Sequence, residues 1–405
     1  MQKTLRSILM IGVLVLATAV AFAQDDEMVV RIGAIHPLTG SLANDGQGMD
    51  LAIQMAADQI NESGMLGDMV LEILSADSTG SAEVGQEEAV RLIEEEGVSA
   101  LIGTFQSAVT ANVATVSARE GVPLMVSVAA ATSITEQGRD ADGNQWTFRI
   151  QPNALVMGTF AAQYVREMAE AYDISVDSVG FMYEGATDYG RSVFSAFADE
   201  AEAQEIAIDE EIAYDFGVEY TTDITLLSAS ALDAVMVTGY YGDGLTIAET
   251  MQDVLLDTQF VMGVAQGTYD QDQFVADADE LAECFFNSNY RWDNLNELAL
   301  ETRAEYEERY EEPMTAADVL AWQSVYVIAD AIMRAESADP ADIQAALIET
   351  EYEDHILPYD GPITFEDGET ANAVPVVMQV QDGAVVQVWP EEIAEAEPRF
   401  CTAWD

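Results

Sequence analysis

The sequence predicts an α/β protein made of two similar units in series, and three observations carry that prediction. Short apolar runs alternate with stretches whose apolar residues recur at helical spacing, from Val29 to Val264. The pattern pauses after Arg149 and then begins again. The 405 residues exceed the roughly 250–300 that one core serves, and 49% apolar content suffices for two.

The elements follow in order. Val29 to Ile35 reads as a buried strand, broken by His36-Pro37-Leu38-Thr39-Gly40. Met49, Ala52, Ile53, Ala56, Ala57 and Ile60 then mark one helix face, and Gly64 and Gly67 its exit. Val70 to Leu74 is the second strand, and Ala89, Val90, Leu92 and Ile93 lie on the next helix. Ala100 to Gly103 is a short strand, Ser107 opens a helix running towards Arg119, and Pro123 to Val128 is the fourth strand. Repeats of about 30 residues imply parallel strands with right-handed crossovers. In the second unit a helix covers Ala154 to Ala171. Strands follow at Val179–Tyr183, Ile206–Ala213, Ala234–Tyr240 and Phe260–Val264. Helices between them cover Gly190–Ala203, Thr221–Ser230 and Leu245–Leu255. Cys284 to Tyr290 is a further strand, before helices near Asn294–Tyr310, Thr315–Ala335 and Pro340–Glu349. Val374–Val380 and Ala384–Trp389 flank Asp382-Gly383, the strongest hairpin signal in the chain.

Charge narrows the function. Acidic residues number 74 and basic ones 14, giving a net charge of −60. Such a chain is repelled by nucleic-acid phosphates and by anionic membrane surfaces. The only lysine is Lys3, and the acids are scattered along the whole sequence. A lysine-free acidic surface suits concentrated salt, where repulsion is screened over about 3 Å at 1 M. Lys3, Arg6, the apolar run Ile8 to Ala21 and Ala21-Phe22-Ala23 read as an export signal over residues 1–23, cleaved before Gln24. No later segment reads as long and apolar enough to span a bilayer. Export to a periplasm makes a disulfide between Cys284 and Cys401 the expected state of the only two cysteines. His36 and His355 are far apart, so a zinc site is not expected; no other metal and no cofactor motif is legible.

Several runs resemble the type I periplasmic binding proteins, nearest the leucine/isoleucine/valine-binding proteins of ABC importers. They include Ile32-Gly33-Ala34-Ile35-His36-Pro37-Leu38-Thr39-Gly40, Gly46-Gln47-Gly48 and Ala57-Asp58-Gln59-Ile60-Asn61. Ala100-Leu101-Ile102-Gly103, Gly121-Val122-Pro123-Leu124, Ala131-Thr132-Ser133, Asp188-Tyr189-Gly190 and Gly239-Tyr240-Tyr241 follow in the same order. The resemblance implies two Rossmann-like lobes joined by three crossover strands, near Phe148–Pro152, Cys284–Asn289 and Tyr359–Phe365. Residues 28–149 plus 290–358 would form the first lobe, 150–283 plus 362–392 the second, and 393–405 a C-terminal tail. It also implies a small ligand, an amino acid or organic acid, gripped in the cleft and delivered to membrane permease subunits by a monomer that performs no catalysis. The same fold serving a membrane receptor as a ligand sensor is the alternative.

The resemblance assigns site residues as well. Ser107, at a strand-to-helix junction, would meet the ligand carboxylate with its hydroxyl and nearby N–H groups; its other reading is a helix cap. Ala130 and Thr132 would line the second contact loop, Thr132 offering a hydroxyl and an N–H. Tyr189, with Tyr240 or Tyr241, would close from the second lobe, and strand alternation sends only one of that pair to the cleft. Amino-acid binders of the family place a glutamate after the strand that here is Phe260–Val264, against the ligand ammonium. This sequence has Ala265 and Gln266 there, both uncharged. Either Asp270, Asp243 or Asp45 substitutes, or the ligand lacks an α-ammonium. No Gly-x-Ser-x-Gly elbow or Walker loop argues for an enzyme.

The charge balance predicts loss of folded structure on dialysis from molar salt into dilute buffer, followed by circular dichroism; a chain that stays folded there contradicts the salt reading.

Overall fold

The structure, a computed structural model, describes residues 28–404; the expected export signal lies outside them. The first parallel array runs β1 (Met28–His36), β2 (Met69–Asp77), β3 (Ala100–Gly103), β4 (Leu124–Val126) and β5 (Thr147–Arg149). Its helices are α1 (Ala43–Ser63), α2 (Ala82–Arg91), α3 (Ser107–Glu120) and α4 (Ser133–Gln137). The second array runs β6 (Ser178–Glu184), β7 (Ala207–Tyr214), β8 (Ala234–Thr238), β9 (Phe260–Val264) and β10 (Phe286–Asn289). It carries α5 (Ala154–Ala171), α6 (Asp188–Ala203), α7 (Thr221–Ala229), α8 (Tyr241–Val254) and α9 (Asp272–Ala278). Then come α10 (Glu297–Tyr310), α11 (Ala316–Ala335), α12 (Pro340–Ile348), the two-residue strands β11 (Phe365–Glu366) and β12 (Glu369–Thr370), and the hairpin β13 (Val376–Gln381) and β14 (Ala384–Trp389).

Each array completes a seven-stranded sheet with late strands: β11-β12-β5-β4-β3-β1-β2, and β14-β13-β10-β9-β8-β6-β7. Two α/β lobes result. Strands β3, β4, β5, β8, β9 and β10 are buried along their whole length, as parallel strands covered on both faces must be. The Asp382-Gly383 turn has φ of +54° and +76° at its two residues, the left-handed pair that a two-residue hairpin demands.

Helix α11 returns to the first lobe and packs against α1, with Val319, Leu320, Trp322, Val325, Ile328 and Ile332 buried. Its mean hydropathy over an 18-residue window is 1.3, long and apolar enough to cross a membrane, which corrects the expectation that no segment would be. With 78% of that window buried inside the protein, it is a core helix. Thr315 and Asp318 form a reciprocal capping box at its start.

The third connection also departs from expectation. Residues 365–370, placed by the sequence reading in the second lobe, pair with β5 of the first, so the chain crosses after Thr370. The cause is Arg149, the last residue of β5 and fully buried. Its guanidinium donates to the carbonyls of Ala130 at 2.8 Å and Ala131 at 2.7 Å. Glu369 supplies the counter-charge at 3.7 Å. Burial pulls the guanidinium pKa down, and Glu369 pulls it back up. A cation without water needs such partners, and only a strand laid beside β5 delivers a carboxylate there. The turn carrying it is Asp367-Gly368, both with positive φ, a second hairpin signal that the sequence reading passed over.

The C-terminal segment is not a loose tail. Cys284 and Cys401 are bridged, Phe400 packs on Phe260 and Phe286, and Trp404 packs on Phe285 and donates to the Leu256 carbonyl at 2.8 Å.

Two consequences are measurable by denaturant unfolding in high salt. Replacing both cysteines by serine should cost about 2–5 kcal/mol, because the bridge closes a long loop. Arg149→Met should cost about 3–5 kcal/mol, because it strands Glu369 and two main-chain acceptors; an effect below about 1 kcal/mol would refute the clamp.

Candidate functional site

Residues that follow the carboxyl ends of six strands meet between the lobes. Phe105 and Ser107 follow β3, Val128 and Ala130 follow β4, and Tyr189 follows β6. Gly239 and Tyr240 follow β8, Ala265 and Gly267 follow β9, and Asn289 and Tyr290 end β10. With Met157 from α5 they line a cavity of about 40 Å³. Open parallel sheets gather ligands at this edge.

In the first lobe, the clamp by Arg149 fixes the loop after β4. The Ala130 carbonyl also accepts from the Ala154 N–H at 2.8 Å, at the start of α5. The Ala131 N–H is thereby free to donate to Ser107 Oγ at 3.1 Å. Ser107 therefore does not cap its own helix: the cap position is Gln106, which makes no side-chain cap bond. Ser107 is 4% exposed and lines the cavity opposite Tyr240 of the other lobe. Ser107 opens α3, so the first turn of that helix faces the cavity with the helix dipole behind it, a setting suited to an oxygen acceptor. Ala130 lies on the cavity. Thr132 does not; it is the residue before α4 and stands outside the lining. Beside it, Ser133 donates to Asp188 at 2.7 Å, a direct bond between the lobes.

In the second lobe, Tyr189 sits in the first turn of α6, lines the cavity, and its hydroxyl donates to the Ala265 carbonyl. Strand β8 stops at Thr238, so the alternation argument for the next two tyrosines does not apply. Tyr240 occupies the cap position of α8 and lines the cavity, its ring centroid 5.2 Å from Tyr189 and 6.3 Å from Phe105. Tyr241 opens the helix outside the lining and its hydroxyl donates to Asp277 at 2.7 Å. Phe216, 47% exposed, stacks on Tyr240 at 5.1 Å. Gly239 leaves room for the Tyr214 hydroxyl, which a Cβ there would approach to 1.9 Å.

Gln266 turns into the lobe instead of the cleft. It is fully buried, and Thr268 donates to its Oε1 at 3.3 Å. Its carbonyl holds Asn287 at 2.7 Å and Asn289 at 3.2 Å. Ala265, at φ +53°, takes the cleft position, so no charged side chain lines this cavity. Of the three proposed substitutes for the missing glutamate, Asp243 is structural: it accepts from the Gly217 N–H at 3.1 Å and the Tyr220 hydroxyl at 2.5 Å. Asp45 and Asp270 instead line an adjoining cavity of about 30 Å³. Sequence reasoning missed Met157, Asn289 and Tyr290 as lining residues. Asn289 and Tyr290 carried a signal, since they stand at the end of an expected strand; Met157 carried none beyond its place on a helix face.

A family model described as periplasmic binding protein matches residues 29–384. A curated relative, Leu/Ile/Val-binding protein homolog 8 of Brucella suis, is 25% identical, covering 96% of this chain and 97% of the relative. The structure of the branched-chain amino acid transporter substrate binding protein LivJ from Streptococcus pneumoniae, in complex with isoleucine, superposes with a TM-score of 0.76 at 20% identity, over 89% of this chain and 99% of that one. A solute binding protein of an ABC transporter from Rhodopseudomonas palustris, in complex with 3,4-dihydroxy benzoic acid, gives 0.73 at 18% identity, over 88% and 95%. With two α/β lobes enclosing a cavity at their strand ends, the chain belongs to the type I periplasmic binding protein family.

Proposed function

We propose that this chain is an extracytoplasmic substrate-binding protein of an ABC importer, which closes on a small amino acid and hands it to the permease subunits. One observation carries the reading: a cavity lined from both lobes, with the first turn of α3 and the Ser107 side chain on its wall. A solute touching both lobes shifts the balance between open and closed forms, and Ser133 to Asp188 and Gln271 to Asp45 are the direct bonds that closure makes. The reading involves binding and release, with no chemistry on the solute. The isoleucine held by the Streptococcus neighbour makes a branched-chain amino acid the first ligand to test. Export through residues 1–23, a monomeric state and operation in concentrated salt belong to the same proposal, supported by the N-terminal composition and the charge of −60.

A second reading, an organic acid without an α-ammonium, is favoured by the uncharged lining and by Ala265 in place of an acidic residue. The 3,4-dihydroxy benzoic acid held by the Rhodopseudomonas neighbour supports it.

Mass spectrometry of solute released from the native protein separates these readings. Calorimetric titration with that solute then tests the wall. Ser107→Ala should weaken binding by about 1–3 kcal/mol; unchanged affinity removes Ser107 from the site. Tyr240→Ala should weaken binding by about tenfold or more, and Tyr241→Ala by far less; equal losses would overturn the placement of Tyr241 outside the cleft.

A further inference from the structure

The interlobe space does not end at its uncharged chamber. Phe105, Gly267, Asn289 and Tyr290 wall both that chamber and the adjoining cavity. The adjoining cavity carries Asp45, from the first turn of α1 in the first lobe, and Asp270, from the loop after β9 in the second. Gln271 donates to Asp45 Oδ1 at 3.3 Å, and Asn289 to Asp270 Oδ2 at 3.3 Å. A third cavity shares Gln271 and Thr315 with it and is lined by Asp318, 2% exposed, whose Oδ1 is buried without a hydrogen-bond partner. Arg291 attracts Asp270, but its guanidinium lies over the Trp292 ring at 4.0 Å and donates to the Val385 carbonyl at 3.3 Å.

Two carboxylates that face each other from opposite lobes oppose closure when the space between them holds nothing positive. A cation placed there turns the repulsion into attraction to both lobes at once. A branched aliphatic end does the opposite, since it strips water from the carboxylates and pairs neither.

We propose that the two cavities form one chamber, in which Asp45 and Asp270 hold a cationic nitrogen at the end of the solute away from Ser107. The ligand class is then a small ammonium- or guanidinium-ended compound, in preference to one with a branched aliphatic end. This rests on the solute-binding reading above and refines it.

The test is thermal shift and calorimetry on the full protein in high salt, with matched probes. Lysine, arginine, 4-aminobutyrate and 5-aminovalerate carry the terminal cation; norleucine, leucine, butyrate and valerate lack it. The expected result is stabilisation by at least one cation-ended probe, with its partner lacking the cation at least tenfold weaker. Asp45→Asn and Asp270→Asn should each weaken the bound probe about tenfold or more. Affinity should also fall as pH drops from 7.5 to 5. Burial holds Asp45 and Asp270 up at about 6 and Asp318 up at about 7, so these carboxylates lose their charge in that window. Arg291, Tyr189, Tyr241, Tyr290 and Tyr306, which also face them, keep their charge state there, and the carboxylates Asp272 and Glu312 share the cavity of Asp318. Leucine or valerate binding as tightly as the cation-ended probes would overturn the inference and leave the solute-binding reading standing. Unchanged affinity in both asparagine variants would do the same. No shift with any probe would overturn both.

Discussion

A guanidinium that water cannot reach organises the first lobe. Arg149 must be answered by protein oxygens, and the nearest are the carbonyls of Ala130 and Ala131. Pinning them sets the whole loop after β4. The Ala131 N–H then finds Ser107 Oγ, which fixes the start of α3, and the Ala130 carbonyl takes the first N–H of α5. One charge thus aligns a ligand-facing helix end, the cavity floor and the entry into the second lobe. Its counter-ion, Glu369, arrives from more than two hundred residues along the chain, which explains why a two-strand excursion to the first sheet precedes the final crossing.

The tyrosines of the second lobe show how an intensely acidic protein keeps one surface uncharged. Tyr189, Tyr214 and Tyr164 each spend the hydroxyl on a main-chain carbonyl. Burial pushes the pKa of all three up, so none contributes charge. What Tyr189 presents to the cleft is mainly a flat ring beside Tyr240. Carboxylates enter only at the adjoining cavity, through residues from both lobes.

Much of the architecture was legible because it rests on periodicity. The helix Ala154–Ala171 and the strands Phe260–Val264 and Ala384–Trp389 fall where the apolar pattern put them. Helices α10 and α11, which the resemblance assigned to the first lobe, share a core with α1. The misses share a cause, which is that they depend on contacts between distant parts of the chain. Nothing near Glu369 announces that it must answer Arg149. Tyr240 and Tyr241 read as strand residues because the apolar run before them continues the strand pattern, yet β8 stops at Thr238 and the helix starts at Tyr241, ahead of the expected Leu245. Gln266 sits at the right place in the sequence and turns inward because its carbonyl is claimed by Asn287 and Asn289. Cleft position was predictable from strand ends; side-chain direction was not.

The first lobe is assembled from two separated stretches, and its core helix α11 arrives only after residue 315. On a ribosome, the face of α1 that α11 will cover has no partner until most of the polypeptide has been made. The amino-terminal half therefore emerges as an incomplete sheet with an apolar side open to water. The late place of α11 in the chain thereby sets the earliest point at which the first lobe can complete its core.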